Sequence, residues 1–346
     1  MPIFTTDATA FDKVRKRGWA YYPGAKRASE EILPVVRNVI SMPKILEPRQ
    51  RVFTVGSCFA RNIEKYLSRL GFDVPMAAWA DYKRDRDPSV NPEYLNKYTI
   101  ASINNELRWA LGETPFDESL HLHQFGADGW YDPQCSPTPQ AATHDQVRQR
   151  RNHVTNLFRT VTSADTVVVT LGLVETWYDR TSGISLNYHP HMRSLNNEPD
   201  RFEMQVRAYD ELIVELDEFR DLIRQHNTRN AKIVVSVSPV PLAFTFRDCD
   251  VLEANTYSKS VLRAVADAFT SKHDDCFYFP SYEIATLSDP ELVFGPDNRH
   301  IRDEFVGYIV FRFLQAASSL DFDREAFIAE YLENDNIREA AHAFLR

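Results

Sequence analysis

Four short β-branched and aromatic runs, each followed by glycine or proline, constrain this chain more than any other feature. They are "RVFTVG" (51–56), "TVVVTL" (166–171), the run inside "AKIVVSVSPVP" (231–241) and the start of "CFYFPSYEI" (276–284). Runs of this length and composition read as buried strands, and a proline that cannot donate to a ladder ends them cleanly. Between them lie segments of helical periodicity. Ile63, Tyr66, Leu67 and Leu70 share a stripe that stops at Gly71, and residues 99–111 carry Ile103, Leu107 and Leu111. Residues 209–227 align Leu212, Leu216, Phe219 and Ile223, residues 255–272 align Val261, Val265 and Phe269, and "RDEFVGYIVFRFLQAA" (302–317) forms a late helix. Strands alternating with helices predict an α/β fold, a mostly parallel sheet covered on both faces in three layers.

The domain expectation is a polar N-terminal arm (1–44), one α/β domain (45–320) and a charged, helical C-terminal tail (321–346), an appendage or a partner surface. Residues 112–142 mix Gly, Pro and His irregularly and read as long loops, which in compact domains are usually functional or disordered. "LVETWYDRTSGISLNYHPHMRS" (173–194) reads as loop or hairpin.

Composition excludes some functions. The net charge of −9 argues against a broad nucleic-acid surface. No apolar stretch is long enough to span a membrane, and the first residues lack the pattern of a signal peptide. The four cysteines (58, 135, 249, 276) form no C-x-x-C pair, so neither a zinc knuckle nor a dithiol is expected, and a reduced, cytoplasmic setting fits.

Ligands of parallel sheets gather at the carboxyl ends of strands. There the sequence places Gly56-Ser57-Cys58, then Gly172 with Glu175 and Trp177, then Ser238-Pro239, then Pro280, Ser281 and Glu283. "GPDNRHIRD" (295–303) adds Asp297 and His300 just before the last long helix. A thiol or hydroxyl, a histidine and a carboxylate can thus converge as nucleophile, base and orienter. The D-x-x-H spacing lets the carboxylate hold one imidazole nitrogen and leave the other free.

"TVGSCFARNIEKYL" contains the run G-S-C-F-A, and "TLGLVETWYD", "SVSPVPLAFTF", "NTYSKSVLR" and "YFPSYEI" accompany it. With these motifs, over roughly 45–315, the chain resembles the GSCFA family. That family is grouped with the SGNH, or GDSL-like, hydrolases: three-layer α/β proteins that hydrolyse or transfer ester-linked acyl groups. The resemblance implies an esterase or O-acyltransferase acting on an ester or thioester of a small molecule or glycan. No cofactor is required, although a coenzyme A thioester is a candidate acyl donor. It leaves the oligomeric state open. Aligned on the G-D-S-L block of that group, Gly56 matches Gly, Ser57 matches Asp, Cys58 matches the nucleophilic Ser, and Phe59 matches Leu. His300 then matches the base and Asp297 its orienter. The third block of the group, G-x-N-D, departs here: Gly172-Leu173-Val174-Glu175 carries Val where an oxyanion donor is expected. The Cys58 N–H would need a second donor, for which Asn104 and Asn187 are candidates.

Each assignment has a plainer competitor. Cys58 could be a buried structural thiol; a helix N-terminus would instead lower its pKa. Ser57 would serve as the helix N-cap and stays as the alternative nucleophile. Glu175 could equally be a buried ion-pair partner, and Asp297 a helix cap. Trp177 and Tyr178 read as core or pocket wall. His189 and His191 lack a carboxylate at ligand spacing, and Lys259 and Arg263 read as a solvated helix face. A non-catalytic binding module on the same fold is the competing function.

Overall fold

The computed structural model describes all residues except 1, 8, 25–26, 28–30, 126–128, 136–141, 320–321 and 346. The predicted strands are present as β1 (Val52–Gly56), β4 (Thr166–Leu171), β8 (Lys232–Val237) and β9 (Cys276–Tyr278), in the spatial order β1-β4-β8-β9 and all parallel. Alternation along the strands divides the core. Phe53, Val55, Val167, Val169, Ile233 and Val235 face one apolar cluster, and Val52, Val168 and Val234 face the other. A parallel sheet buried on both sides needs this uninterrupted apolar character.

Six long helices close the two faces: α1 (Cys58–Arg69), α2 (Ile100–Leu111), α3 (His144–Arg159), α4 (Tyr209–His226), α5 (Val251–Lys272) and α6 (Asp303–Ala317). Ile103, Leu107, Leu216, Phe219, Val265 and Phe269 carry α2, α4 and α5 onto one cluster. Phe59, Ile63, Leu67, Phe305, Ile309 and Phe313 carry α1 and α6 onto the other.

The region that periodicity left open contains more structure than loops. β2 (His123–Phe125) and β3 (Gly129–Tyr131) pair antiparallel, while residues 126–128 and 136–141 of the predicted loop lie outside the described residues. The predicted loop or hairpin is β5 (Glu175–Asp179) with β6 (Ile184–Leu186). It gains a third antiparallel strand, β7 (Phe202–Val206), that the sequence did not suggest. The tail is not an appendage either. Its helices Arg324–Tyr331 and Asp335–His342 bury Phe327, Ile328 and Ile337 in the α6 cluster.

Two features fix the carboxyl end of β1. Gly56 has φ +137°, and a Cβ there would lie 2.2 Å from Thr170 Oγ1 and 2.3 Å from the Thr170 carbonyl on β4. The next segment, residues 96–98, crosses the sheet end: Lys97 N donates to Gly56 O (2.7 Å), and Leu173 N donates to Tyr98 O (2.7 Å). A buried ionic network holds this crossing. Lys97 Nζ donates to Glu106 Oε1 (2.5 Å), and Arg151 bridges Glu106 and Asp132, the latter at 3.1 Å. Such charges are tolerated inside only because each has an opposite partner.

Candidate functional site

The segments that follow β1, β4 and β8 surround a cavity of about 380 Å³. Its lining includes Ser57, Cys58, Gly172, Glu175, Asn187, Ser238 and His300, and Trp177 forms part of its wall. The sheet therefore brings together Cys58 and His300, which lie far apart in the sequence.

Cys58 is the first residue of α1, and Ser57 is its N-cap, accepting from Phe59 N at 3.4 Å. Ser57 is 4% exposed and donates to Ser238 Oγ at 2.9 Å. Its hydroxyl is thus used in holding the corner, while Cys58 stays partly exposed to the cavity. The thiol does not have the lowered pKa expected of a helix N-terminus. Burial pushes it up, and the Glu93 carboxylate adds to the rise; Arg299, the Phe59 N–H and Lys259 act in the opposite direction and do not outweigh them. The reason is one of magnitude. A helix terminus typically contributes 0.3–1 kcal/mol, whereas desolvation can move a buried group by several pKa units. At rest this side chain is a thiol and needs a base to become a nucleophile.

Asp297 and His300 form the expected pair. His300 Nδ1 lies 2.5 Å from Asp297 Oδ2, and Asp297 Oδ1 accepts from His300 N (3.0 Å) and Arg299 N (3.1 Å). The loop closes through Gly295 N to His300 O at 2.8 Å, with Asn298 in the left-handed region at φ 52°. The hydrogen bond from His300 holds the Asp297 carboxyl well below the usual carboxylate range. A charged carboxylate at Nδ1 assigns the proton there and leaves Nε2 as acceptor. Among the described residues no hydrogen bond joins the thiol to the imidazole, a common feature of ligand-free sites.

The other candidates separate. Asn187 lines the cavity; its Oδ1 accepts from Tyr98 N (2.8 Å) and Ser102 Oγ (3.0 Å), and its Nδ2 donates to Asn96 O (2.8 Å). Asn104 does not reach the cavity. It sits under α4, donating to Glu215 O at 2.8 Å, so it is removed as an oxyanion donor. Glu175 forms no ion pair among the described residues; its carboxylate accepts from Thr245 Oγ1 (2.6 Å) and Phe246 N (3.0 Å) and so ties two segments of the lining together. Gly172 packs so closely that a Cβ would meet Tyr98 O at 2.7 Å. Ser281 and Glu283 turn away, Ser281 to Val237 O (3.0 Å) and Glu283 to Arg263 (2.7 Å). His191 caps a short helix through Arg193 N (3.1 Å), and among the described residues no three His, Cys, Asp or Glu side chains are grouped as metal ligands would be.

Lys259 overturns its expectation of a solvated face. It is 1% exposed and donates to Gly172 O at 2.9 Å, directly behind the cavity wall. Sequence reasoning also passed over Arg299, Glu93, Phe244 and Phe246, which share the lining. Burial pushes the Lys259 amine down from 10.5 to about 7. Between those values the unfolded chain holds a proton that the folded chain lacks, so this group makes stability rise with pH there. Below about 7 both states are protonated and its contribution is flat. Lys259→Met should remove a slope of at most about 1.4 kcal/mol per pH unit. Unfolding free energies of the two proteins between pH 7 and 10 measure it; a constant difference between them would rule this out.

These features define an α/β protein with a thiol and a paired histidine at the carboxyl edge of a parallel sheet. Residues 51–313 match the model of the GSCFA family, and the chain belongs to that family. No curated protein and no solved structure matches the chain. No helix among the described residues is long and apolar enough to cross a membrane.

Proposed function

We infer that this chain is an acyl-transfer enzyme, an esterase or O-acyltransferase, with Cys58 as nucleophile, His300 as base and Asp297 as its orienter. The observation that carries the reading is that Cys58 and the Asp297-bound His300 line one cavity at the sheet's carboxyl edge. The same arrangement supports grouping the fold with the SGNH-like hydrolases: a helix-covered parallel sheet, the nucleophile after the first strand, and D-x-x-H ahead of α6.

In the first step the Cys58 proton passes to His300 Nε2 as Sγ attacks the carbonyl carbon. The carbon–oxygen or carbon–sulfur bond to the leaving group then breaks, and His300 returns the proton to the departing alkoxide or thiolate. Cys58 is left as a thioester. In the second half, water or an acceptor hydroxyl gives its proton to His300 and attacks that thioester, and the thiol is restored. The Cys58 N–H, at the first position of α1 where no intrahelical acceptor is available, is the first donor to the developing oxyanion in this reading. Asn187 keeps one side-chain N–H beyond its bond to Asn96 and is the candidate second donor.

The experiment is turnover of short-chain aryl esters and thioesters by Cys58→Ala and Ser57→Ala, with intact-protein mass analysis for an acyl adduct. Cys58→Ala should lose all turnover and the adduct, whereas Ser57→Ala should stay active with reduced stability from its missing cap, typically about 1 kcal/mol. Full activity in Cys58→Ala would remove the nucleophile assignment. A binding module is the second reading, favoured by the raised thiol pKa; ligand binding without turnover by the intact protein would establish it.

A further inference from the structure

Arg299 is placed between the two members of the Asp297–His300 pair and lines the same cavity as Cys58. Its backbone N–H is used by Asp297, but its side chain has no ion-pair or hydrogen-bond partner among the described residues, and its Nε is hidden from solvent without an acceptor. The three most buried arginines all have partners: Arg150 pairs with Asp87 (2.7 Å), Arg151 with Asp132 (3.1 Å), and Arg312 donates to Tyr308 Oη and to the Val36 and Asn38 carbonyls. A guanidinium that borders a cavity and lacks a protein carboxylate is set to receive an anion from outside, because its planar donors suit a carboxylate or phosphate. Its charge reaches both the Cys58 thiol and the Tyr188 phenol, so it acts within the reacting space.

Another part of the lining is aromatic. Phe246 stands edge-on to Trp177 (5.1 Å) and to Phe244 (5.2 Å), and the His189 ring lies 6.1 Å from Phe244 and 6.0 Å from Phe246. Phe244 and Phe246 are 46% and 44% exposed, an open apolar surface rather than core. Glu93 also lines the cavity and, among the described residues, forms no ion pair. With Glu175 it gives the lining two carboxylates beside the one guanidinium, so the cavity suits a single negative charge held directly on Arg299 better than two.

Resting on the acyl-transfer reading of the same site, we propose that the substrate is an amphiphilic monoanion. Its carboxylate pairs with Arg299, and its apolar or aromatic part lies on Trp177, Phe244 and Phe246.

Two measurements separate this inference from the catalytic reading beneath it. The first is binding of 3-phenylpropanoate to the intact protein by titration calorimetry, beside its neutral amide and phenethyl phosphate. The carboxylate should bind at least tenfold more tightly than the amide and more tightly than the phosphate, and added salt should weaken it. Arg299→Met should erase the carboxylate preference, and Arg299→Lys should keep part of it, with thermal melts confirming that both variants fold. The second is the ratio of kcat/KM for an aryl thioester carrying a carboxylate to that of its neutral analogue, expected to be at least ten and to fall towards one in Arg299→Met. Arg299-dependent carboxylate binding without thioester turnover would uphold the subsite and remove the enzyme. Turnover with no charge preference, or a preference unchanged in Arg299→Met, would overturn the subsite and leave the enzyme. Tighter binding of the phosphate would overturn the monoanion assignment.

Discussion

Gly56→Ala is expected to leave little or no folded protein. Two costs coincide at this residue. Its φ of +137° lies where a side chain is strained, and the added Cβ would stand 2.2 Å from Thr170 Oγ1 and 2.3 Å from Thr170 O. The hydroxyl could rotate away, but the carbonyl belongs to the β1–β4 ladder and cannot move without unpairing the strands. A clash of this kind belongs with the exceptional substitutions that cost more than about 4 kcal/mol. Gly71→Ala separates the two costs: Gly71 also has a positive φ, +82°, but nothing lies within 4 Å of its added Cβ. It should cost only about 1 kcal/mol, the usual left-handed penalty. Soluble yield and thermal melting of both variants measure this, and a Gly56→Ala protein as stable as Gly71→Ala would show the corner to be adaptable.

The second large effect is on turnover. His300→Ala should slow acylation of Cys58 by about 10²–10⁴-fold, the range for loss of a general base. Its pH dependence is the more telling result. Because burial holds the thiol above its ordinary value, the thiolate fraction at neutral pH is small and grows about tenfold per pH unit. Residual acylation by His300→Ala should climb with that slope into the alkaline range, while the wild-type rate, which draws on His300, should be flatter. Asp297→Asn should resemble the histidine variant: an amide can still accept from the His300 and Arg299 N–H groups, but its NH₂ facing Nδ1 favours the wrong tautomer, a change that can cost about 10⁴. Wild-type rates and slope in His300→Ala would remove the triad.

The central sheet was legible because its four strands bury both faces, which demands β-branched runs that a single sequence displays. β7 was not, since Phe202–Val206 leaves four of its five residues only partly buried and shows no apolar run. The corner at Cys58 could be read by register, and D-x-x-H by spacing. Asn104 and Glu175 could not be placed, because their partners come from distant segments: Glu215 for one, Thr245 and Phe246 for the other. Lys259 had a usable signal. It lies in phase with Leu262, Ala266 and Phe269, all buried on α5, and the stripe read through Val261 hid that. Arg299 stands inside the D-x-x-H run, but spacing says nothing about which guanidinium lacks a carboxylate.

The protonated state of Cys58 also bears on chemical endurance. Peroxide and similar oxidants attack the thiolate, and the first product, a sulfenic acid, leads on to forms that cannot be reduced. A cysteine kept neutral by burial and by Glu93 presents little of the vulnerable form at neutral pH. With the other described cysteines, Cys135, Cys249 and Cys276, also unpaired, the chain has no resolving thiol bonded to this one. Slow oxidation of Cys58 by peroxide is therefore expected from the burial and the Glu93 charge that keep its proton in place, and not from a partner thiol.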